Sequence, residues 1–210
     1  MRLLLTSAGV SNALIADELK GLCTVERPKI AYITTARADS DKDGYLSEQS
    51  QLLSKHGLTD HSLVDPTAPD AVWDKMFSGC DVIMIGGGNT YTLLSKFKES
   101  GFDRWLVQNK DNFVYVGVSA GSIIFSPDVS VAEIDNGDDN TVNLKDTSGL
   151  ALIDFEVSPH TPEDVSVRAN EYYSNTIENK LVCFDDNSAI TVIDGVVKLV
   201  GENKFWEFNT

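Results

Sequence analysis

Phe113-Val114-Tyr115-Val116-Gly117-Val118-Ser119-Ala120-Gly121-Ser122 is the stretch from which the chain is best read. Strand-type residues run directly into Gly-x-Ser-x-Gly, and an apolar segment, Ile123-Ile124-Phe125, follows at once. A strand-to-helix turn this tight forces its central residue into a strained backbone conformation and lifts that side chain off the sheet edge. Small residues two before and two after, here Gly117 and Gly121, let the flanking backbones pass. The helix that follows aims free N–H groups and its positive dipole end at the Ser119 hydroxyl. An alkoxide or a tetrahedral oxyanion needs such surroundings. An ordinary glycine-rich turn would satisfy the same pattern, so the rest of the chain has to decide.

Upstream, Asp81-Val82-Ile83-Met84-Ile85 is a continuous apolar run of the kind that suits a central parallel strand covered on both faces. It ends in Gly86-Gly87-Gly88-Asn89-Thr90, where a helix begins. Shorter strands are expected at Arg2–Thr6, Lys29–Ile33 and Ser62–Val64. Helices are expected at Asn12–Leu22, Tyr45–His56, Asp70–Ser78 and Phe102–Asn109. Strand and helix alternate with short connections, which predicts an α/β fold: a mostly parallel central sheet with helices on both faces. Downstream, Glu133–Thr147 is acidic and polar and reads as a surface loop or short hairpin. Phe155–Ser158 and Leu181–Phe184 are further strands, with a helix over Val165–Ile177 between them. Ala189–Ile193, Asp194-Gly195 and Val196–Val200 spell an antiparallel hairpin at the sheet edge, because Asp-Gly supplies two positive-φ positions. No repeat, linker or low-complexity segment interrupts the 210 residues, so a single α/β domain over 1–210 is the expectation.

A net charge of −15, with only 17 Lys and Arg, argues against nucleic-acid and anionic-membrane partners. An anionic substrate would need a locally placed arginine. There is no apolar run long enough to span a bilayer and no signal-type leader. Cys23, Cys80 and Cys183 are odd in number, widely spaced and set among apolar residues. They read as reduced core residues of a cytoplasmic protein, and without CxxC spacing no metal site is expected.

A serine nucleophile needs a base within reach and an acid to orient that base. Of three histidines, His56 sits at a helix end and His61 in a polar connection. His160 follows a strand and lies between Pro159 and Pro162, a rigid setting that suits a base. Asp185 and Asp186 follow the strand Leu181–Phe184, and either can serve as the acid. In a parallel sheet the carboxyl ends of the strands share one edge, where ligands bind. Gly86–Asn89, Ser119, His160 and the aspartate pair are therefore expected to converge. Ala120 offers one oxyanion N–H and the glycine run the other, with Gly88 the chosen position. The rival reading of the glycine run is a phosphate cradle, and the lack of the Walker lysine and of G-x-G-x-x-G spacing weighs against it. The order serine, histidine, acid is not that of the α/β-hydrolases.

With these motifs in view, the chain resembles the dipeptidase E (aspartyl dipeptidase) family of serine peptidases, in the same wider group as cyanophycinase. Gly86-Gly87-Gly88-Asn89-Thr90 with Leu93-Leu94, Gly117–Ser122, Ser158-Pro159-His160 and Asp186-Asn187-Ser188-Ala189 carry the resemblance over nearly the whole chain. It implies a three-layer fold like the class I glutamine amidotransferases, with serine in place of their cysteine. It implies a Ser119, His160, Asp186 triad, though Asp186 stands where the family usually has a glutamate. It also implies substrate contacts from Asn89 and from Arg168, the arginine downstream of the histidine; Arg37, at another strand's carboxyl end, is a second candidate. The expected function is hydrolysis of small peptides, including dipeptides with an N-terminal aspartate, by a cofactor-free monomer or homodimer. A non-catalytic small-ligand sensor and an amidase on a non-peptide substrate are the alternatives.

Overall fold

Seven strands form the central sheet: β1 (Arg2–Thr6), β2 (Ile30–Ile33), β3 (His61–Val64), β4 (Val82–Ile85), β5 (Val114–Val118), β8 (Ala189–Ile193) and β9 (Val196–Val200), in the order β3-β2-β4-β5-β1-β8-β9. The computed structural model describes residues 1–37, 42–134, 137–161, 165–201 and 205–210. The five strands from β3 to β1 run parallel, and β8 and β9 close one edge antiparallel. The hairpin falls where its Asp-Gly turn places it, with φ of 48° at Asp194 and 85° at Gly195. Every residue of β4 and β5 is buried, as their unbroken apolar sequence requires.

Helices cover both faces. On one, α1 (Ala13–Leu22) and α2 (Lys42–Lys55) bury Ile15, Leu19, Leu22 and Leu53 against Leu4, Met84 and Val116 of the sheet. On the other, α3 (Trp73–Met76), α4 (Thr90–Ser100), α5 (Phe102–Gln108) and α6 (Ala120–Ile123) pack against Leu3, Leu5, Ile83, Ile85 and Tyr115. Leu93, Leu94 and Phe97 on α4 have no solvent exposure. Buried apolar area of this extent, at about 25 cal/mol per Å², is what holds such layers together. Asn12 and Asn89 cap α1 and α4, their Oδ1 atoms accepting from Ile15 N–H and Thr92 N–H. No helix among the described residues is long and apolar enough to cross a membrane.

The sequence leads to one sheet edge; the structure has two sheets. β6 (Glu156–Ser158) and β7 (Leu181–Phe184) pair in parallel with each other, and β10 (Phe205–Phe208) joins β7 antiparallel in a separate three-stranded sheet. β10 was not anticipated, and it is what completes that sheet. The helix α7 (Val165–Ser174) packs on it. The helix expected at Asp70–Ser78 shortens to α3, whose preceding residues form turns instead. The acidic segment after Ser119 is irregular: a 3-10 turn at Ser130–Glu133, then loop, with one antiparallel bridge between Asp128 and Ser148. Asp135 and Pro162 lie outside the described residues.

Candidate active site

Ser119 sits at the turn between β5 and α6 with φ 53° and ψ −115°, a conformation that L-residues rarely adopt. The neighbours enforce it. A Cβ on Gly121 would lie 2.0 Å from the Ile85 carbonyl oxygen, and one on Gly117 would lie 2.6 Å from the Gly121 oxygen. Only glycine lets these backbones pass. The Ser119 N–H donates to the Thr6 oxygen at 3.0 Å, and Ser122 Oγ donates to the same oxygen at 2.7 Å while accepting from Thr6 N–H at 3.0 Å. Ser122 is fully buried in that exchange, which leaves Ser119 as the serine of the motif that faces open space.

Ser119 borders three cavities, of about 190, 570 and 410 Å³. His160 borders the first and the third. It stands just beyond β6 with φ 55°, and its Nδ1 lies 2.6 Å from Asp186 Oδ1. A carboxylate only accepts, so this pairing puts the neutral imidazole proton on Nδ1 and leaves Nε2 free to take one. The bond to His160 holds the Asp186 carboxyl below its ordinary value; burial opposes that, and a bond from Ser7 adds to it. Asp185, the other member of the pair, turns its Oδ1 to the Asn187 N–H at 3.1 Å.

Ser7 is the residue that sequence reasoning missed. It is 1% exposed, its Oγ donates to Asp186 Oδ1 at 2.6 Å and accepts from the His160 N–H at 2.7 Å, and it lies 3.1 Å from His160 Nδ1. Two neighbours continue the tie: Ser11 Oγ donates to the Asp186 oxygen at 2.8 Å and Asn12 Nδ2 to the Asn187 oxygen at 2.9 Å. The turn after β1 thus clamps loops from the second sheet onto the first. Its one legible signal was position, since Ser7 follows a parallel strand at the same carboxyl edge as Ser119.

Gly88 borders two of the cavities beside Ser119 and has φ 146°; a Cβ there would lie 2.3 Å from the Ala36 oxygen. Among the described residues neither the Gly88 nor the Ala120 N–H donates to a protein acceptor. Asn89 also borders the 570 Å³ cavity, but its polar atoms already cap α4 and donate to the Asp139 oxygen at 2.9 Å. Arg37 is half-buried and borders the second and third cavities. Arg168 is exposed on α7 and borders none of the three. The cysteines are free thiols, and burial pushes the Cys183 thiol up to about 12.

A serine on a strained elbow, facing the same space as a carboxylate-paired histidine, is the arrangement of a serine hydrolase. Comparison with known proteins agrees with that class. The profile of peptidase family S51 matches residues 3–200. An uncharacterized peptidase of Listeria monocytogenes serovar 1/2a is 28% identical over 132 residues, 62% of this chain and 64% of that protein. Peptidase E of Escherichia coli O6:K15:H31 is 25% identical over 211 residues, 93% of this chain and 84% of that one. Among solved structures, a Listeria monocytogenes EGD-e protein provisionally assigned as peptidase E superposes with a TM-score of 0.78 at 21% identity. That superposition covers 96% of this chain and 98% of the other, and establishes the shared fold. The chain belongs to peptidase family S51 and is by class a serine-type peptidase.

Proposed function

We propose that the protein hydrolyses short peptides through Ser119, His160 and Asp186. One observation carries the reading: Ser119, on its strained turn, shares a cavity with a histidine whose Nδ1 is 2.6 Å from a carboxylate. His160 Nε2 takes the Ser119 hydroxyl proton as Oγ attacks the peptide carbonyl carbon. The carbonyl π bond breaks, and the oxyanion is held by the Gly88 and Ala120 N–H groups. Collapse breaks the C–N bond, and His160 passes its proton to the departing amine. Water then attacks the acyl-serine ester by the same route, releasing the acid and restoring the Ser119 hydroxyl. Asp186 keeps the proton on Nδ1 throughout and stabilises the imidazolium, while Ser7 fixes Asp186 and the His160 backbone. Cavities of about 190 to 570 Å³ suit a small ligand, which favours short peptides over a protein chain.

A fluorophosphonate probe with a dipeptide panel tests this reading. The wild-type chain is expected to label once and turn over peptides, and Ser119→Ala to do neither. Labelling and turnover that survive in Ser119→Ala would overturn the nucleophile assignment. Peptide binding without labelling would point to a sensor, and labelling without peptide turnover to an amidase.

A further inference from the structure

One buried polar side chain at the cleft has nothing to bond to. Gln49 stands on α2 in a place that the helix reserves for its apolar stripe: Leu46, three residues before, and Leu53, four after, are both buried against the sheet. Gln49 is itself only 6% exposed, and among the described residues no group hydrogen-bonds its carboxamide. The carboxamide lies across Gly9 of the β1–α1 turn, where a Cβ would come within 2.5 Å of Gln49 Oε1. Gln49 borders the 410 Å³ cavity together with Ser7, Gly88, Ser119 and His160. Native proteins leave few buried amides that neither protein, water nor a ligand satisfies, and this one opens on the space beside the serine.

The departing amine takes its proton from His160, so the leaving group starts in a space that Ser119 and His160 both border. The 190 and 410 Å³ cavities meet that condition, and the larger one holds Gln49. Resting on the peptidase reading above, we infer that Gln49 is a specificity residue for the leaving group, its carboxamide pairing with a peptide amide beyond the scissile bond. Whichever way the side-chain amide is turned, one end donates and the other accepts, and a peptide group offers the matching C=O and N–H. An ester or a carboxylate only accepts, so either leaves the Gln49 oxygen without a donor. Arg37 and Glu48 border the same cavity with opposite charges, so the comparison that isolates Gln49 is one between neutral groups. The substrate class is a peptide whose second residue continues into a further peptide bond or ends as an amide.

Calorimetric titration of the Ser119→Ala protein, which binds without turning over, tests this with Ala-Ala N-methylamide and Ala-Ala methyl ester. The two probes match in size and charge and differ by one N–H. The amide should bind about tenfold or more tightly, the range of one hydrogen bond to an otherwise unsatisfied buried group. Adding Gln49→Met, which keeps the side chain's length and removes both of its hydrogen-bonding ends, should abolish the preference. Adding Gln49→Glu keeps an acceptor for the N–H and should retain it, and thermal melts check that both variants fold. Equal binding of amide and ester, a preference that survives Gln49→Met, or no binding of either probe would each overturn the inference. So would tighter binding of N-acetyl-Ala-Ala than of Ala-Ala that Gln49→Met removes, since that would put Gln49 on the acyl side. The amide–ester comparison with Gln49 intact decides the matter even if the Met variant fails to fold. Fluorophosphonate labelling of the wild-type chain reads the hydrolase assignment separately. Amide-selective binding without labelling would sink that assignment and spare the subsite, whereas labelling with no selectivity between the probes would do the opposite.

Discussion

The two sheets hold their functional groups by different means. On the seven-stranded sheet, Ser119 is fixed mainly by backbone: a wholly buried strand, two close glycine passages and an N–H bond to β1, with the buried Ser122 hydroxyl bonding the same Thr6. On the three-stranded sheet, His160 and Asp186 stand on loops, with side chains 48% and 59% exposed, and are held by hydroxyl and amide side chains of the β1–α1 turn. A serine set by sterics has no alternative position. A histidine and a carboxylate set by hydrogen bonds have a position only while each bond is made. Damage on the first sheet should therefore appear as lost folding, and damage on the second as lost chemistry in a folded chain.

The largest effect is expected at Asp186. Asp186→Asn leaves the fold intact but presents an amide to Nδ1, which favours the wrong tautomer; turnover should fall about 10⁴-fold. Asp185→Asn, whose side chain accepts from the Asn187 N–H and from no other group among the described residues, should stay within about threefold of wild type, since a substitution away from a functional contact has little effect. Comparable losses in both variants would refute the assignment of the acid. Next comes Gly121→Ala on the other sheet. With its Cβ at 2.0 Å from the Ile85 oxygen, the elbow must open, at a cost of about 3 kcal/mol or more. A thermal melt should show this as a large drop in Tm; a chain that melts normally but is inactive would break the contrast between the sheets.

Ser7→Ala separates the two modes more finely. It removes a donor to Asp186 and an acceptor for the His160 N–H without adding bulk. One to two hydrogen bonds to a charged group correspond to a loss of about 10- to 100-fold in kcat, with KM little changed. Because the Ser7 bond helps keep the Asp186 carboxyl low, that carboxyl should titrate higher in the variant than in wild type, as an NMR pH titration would read. A raised KM with unchanged kcat would make Ser7 a substrate contact and not a positioning residue.

How much of this was legible follows the same division. The elbow was readable because Gly-x-Ser-x-Gly behind an apolar run is a local rule, and the hairpin because Asp194-Gly195 is another. The partition into two sheets was not. β6 and β7 have the composition of parallel strands wherever they pair, and nothing local in Glu156–Ser158 names β7, and not β1 or β5, as its neighbour. β10 carries Phe205-Trp206-Glu207-Phe208, too short to distinguish from a terminal tail. The expected gathering of Gly88, Ser119, His160 and Asp186 in space does appear, because both sheets turn carboxyl ends toward the β1–α1 turn. Ser7 stayed hidden because a serine in a turn after a strand has an everyday explanation in hydrogen bonding to its own backbone.

The smallest expected effect tests the second sheet from beneath its site. Glu156 on β6 is 1% exposed, and burial raises its carboxyl above the ordinary 4.5 despite bonds from the Tyr173 hydroxyl at 2.7 Å and Asn179 Nδ2 at 3.1 Å. A carboxyl raised on folding binds its proton more tightly in the native chain, so its ionised form destabilises at neutral pH and that penalty fades as pH falls toward 4.5. Asp186 has the opposite sign. Its carboxyl is depressed by His160, so its contribution is present above the unfolded value of 3.8 and is lost as pH falls through the lower folded value. Two variants on one small sheet should therefore diverge from wild type in different windows. Relative to Glu156→Gln, wild type should gain in Tm between pH 7 and about 4.5 and then run parallel. Relative to Asp186→Asn, it should lose ground only below 3.8. Melts from pH 7 downward check both. A Glu156→Gln difference that is flat with pH would mean that the buried carboxyl does not titrate apart from the unfolded chain. It would leave the second sheet held by its hydrogen bonds alone, with no electrostatic strain beneath the histidine.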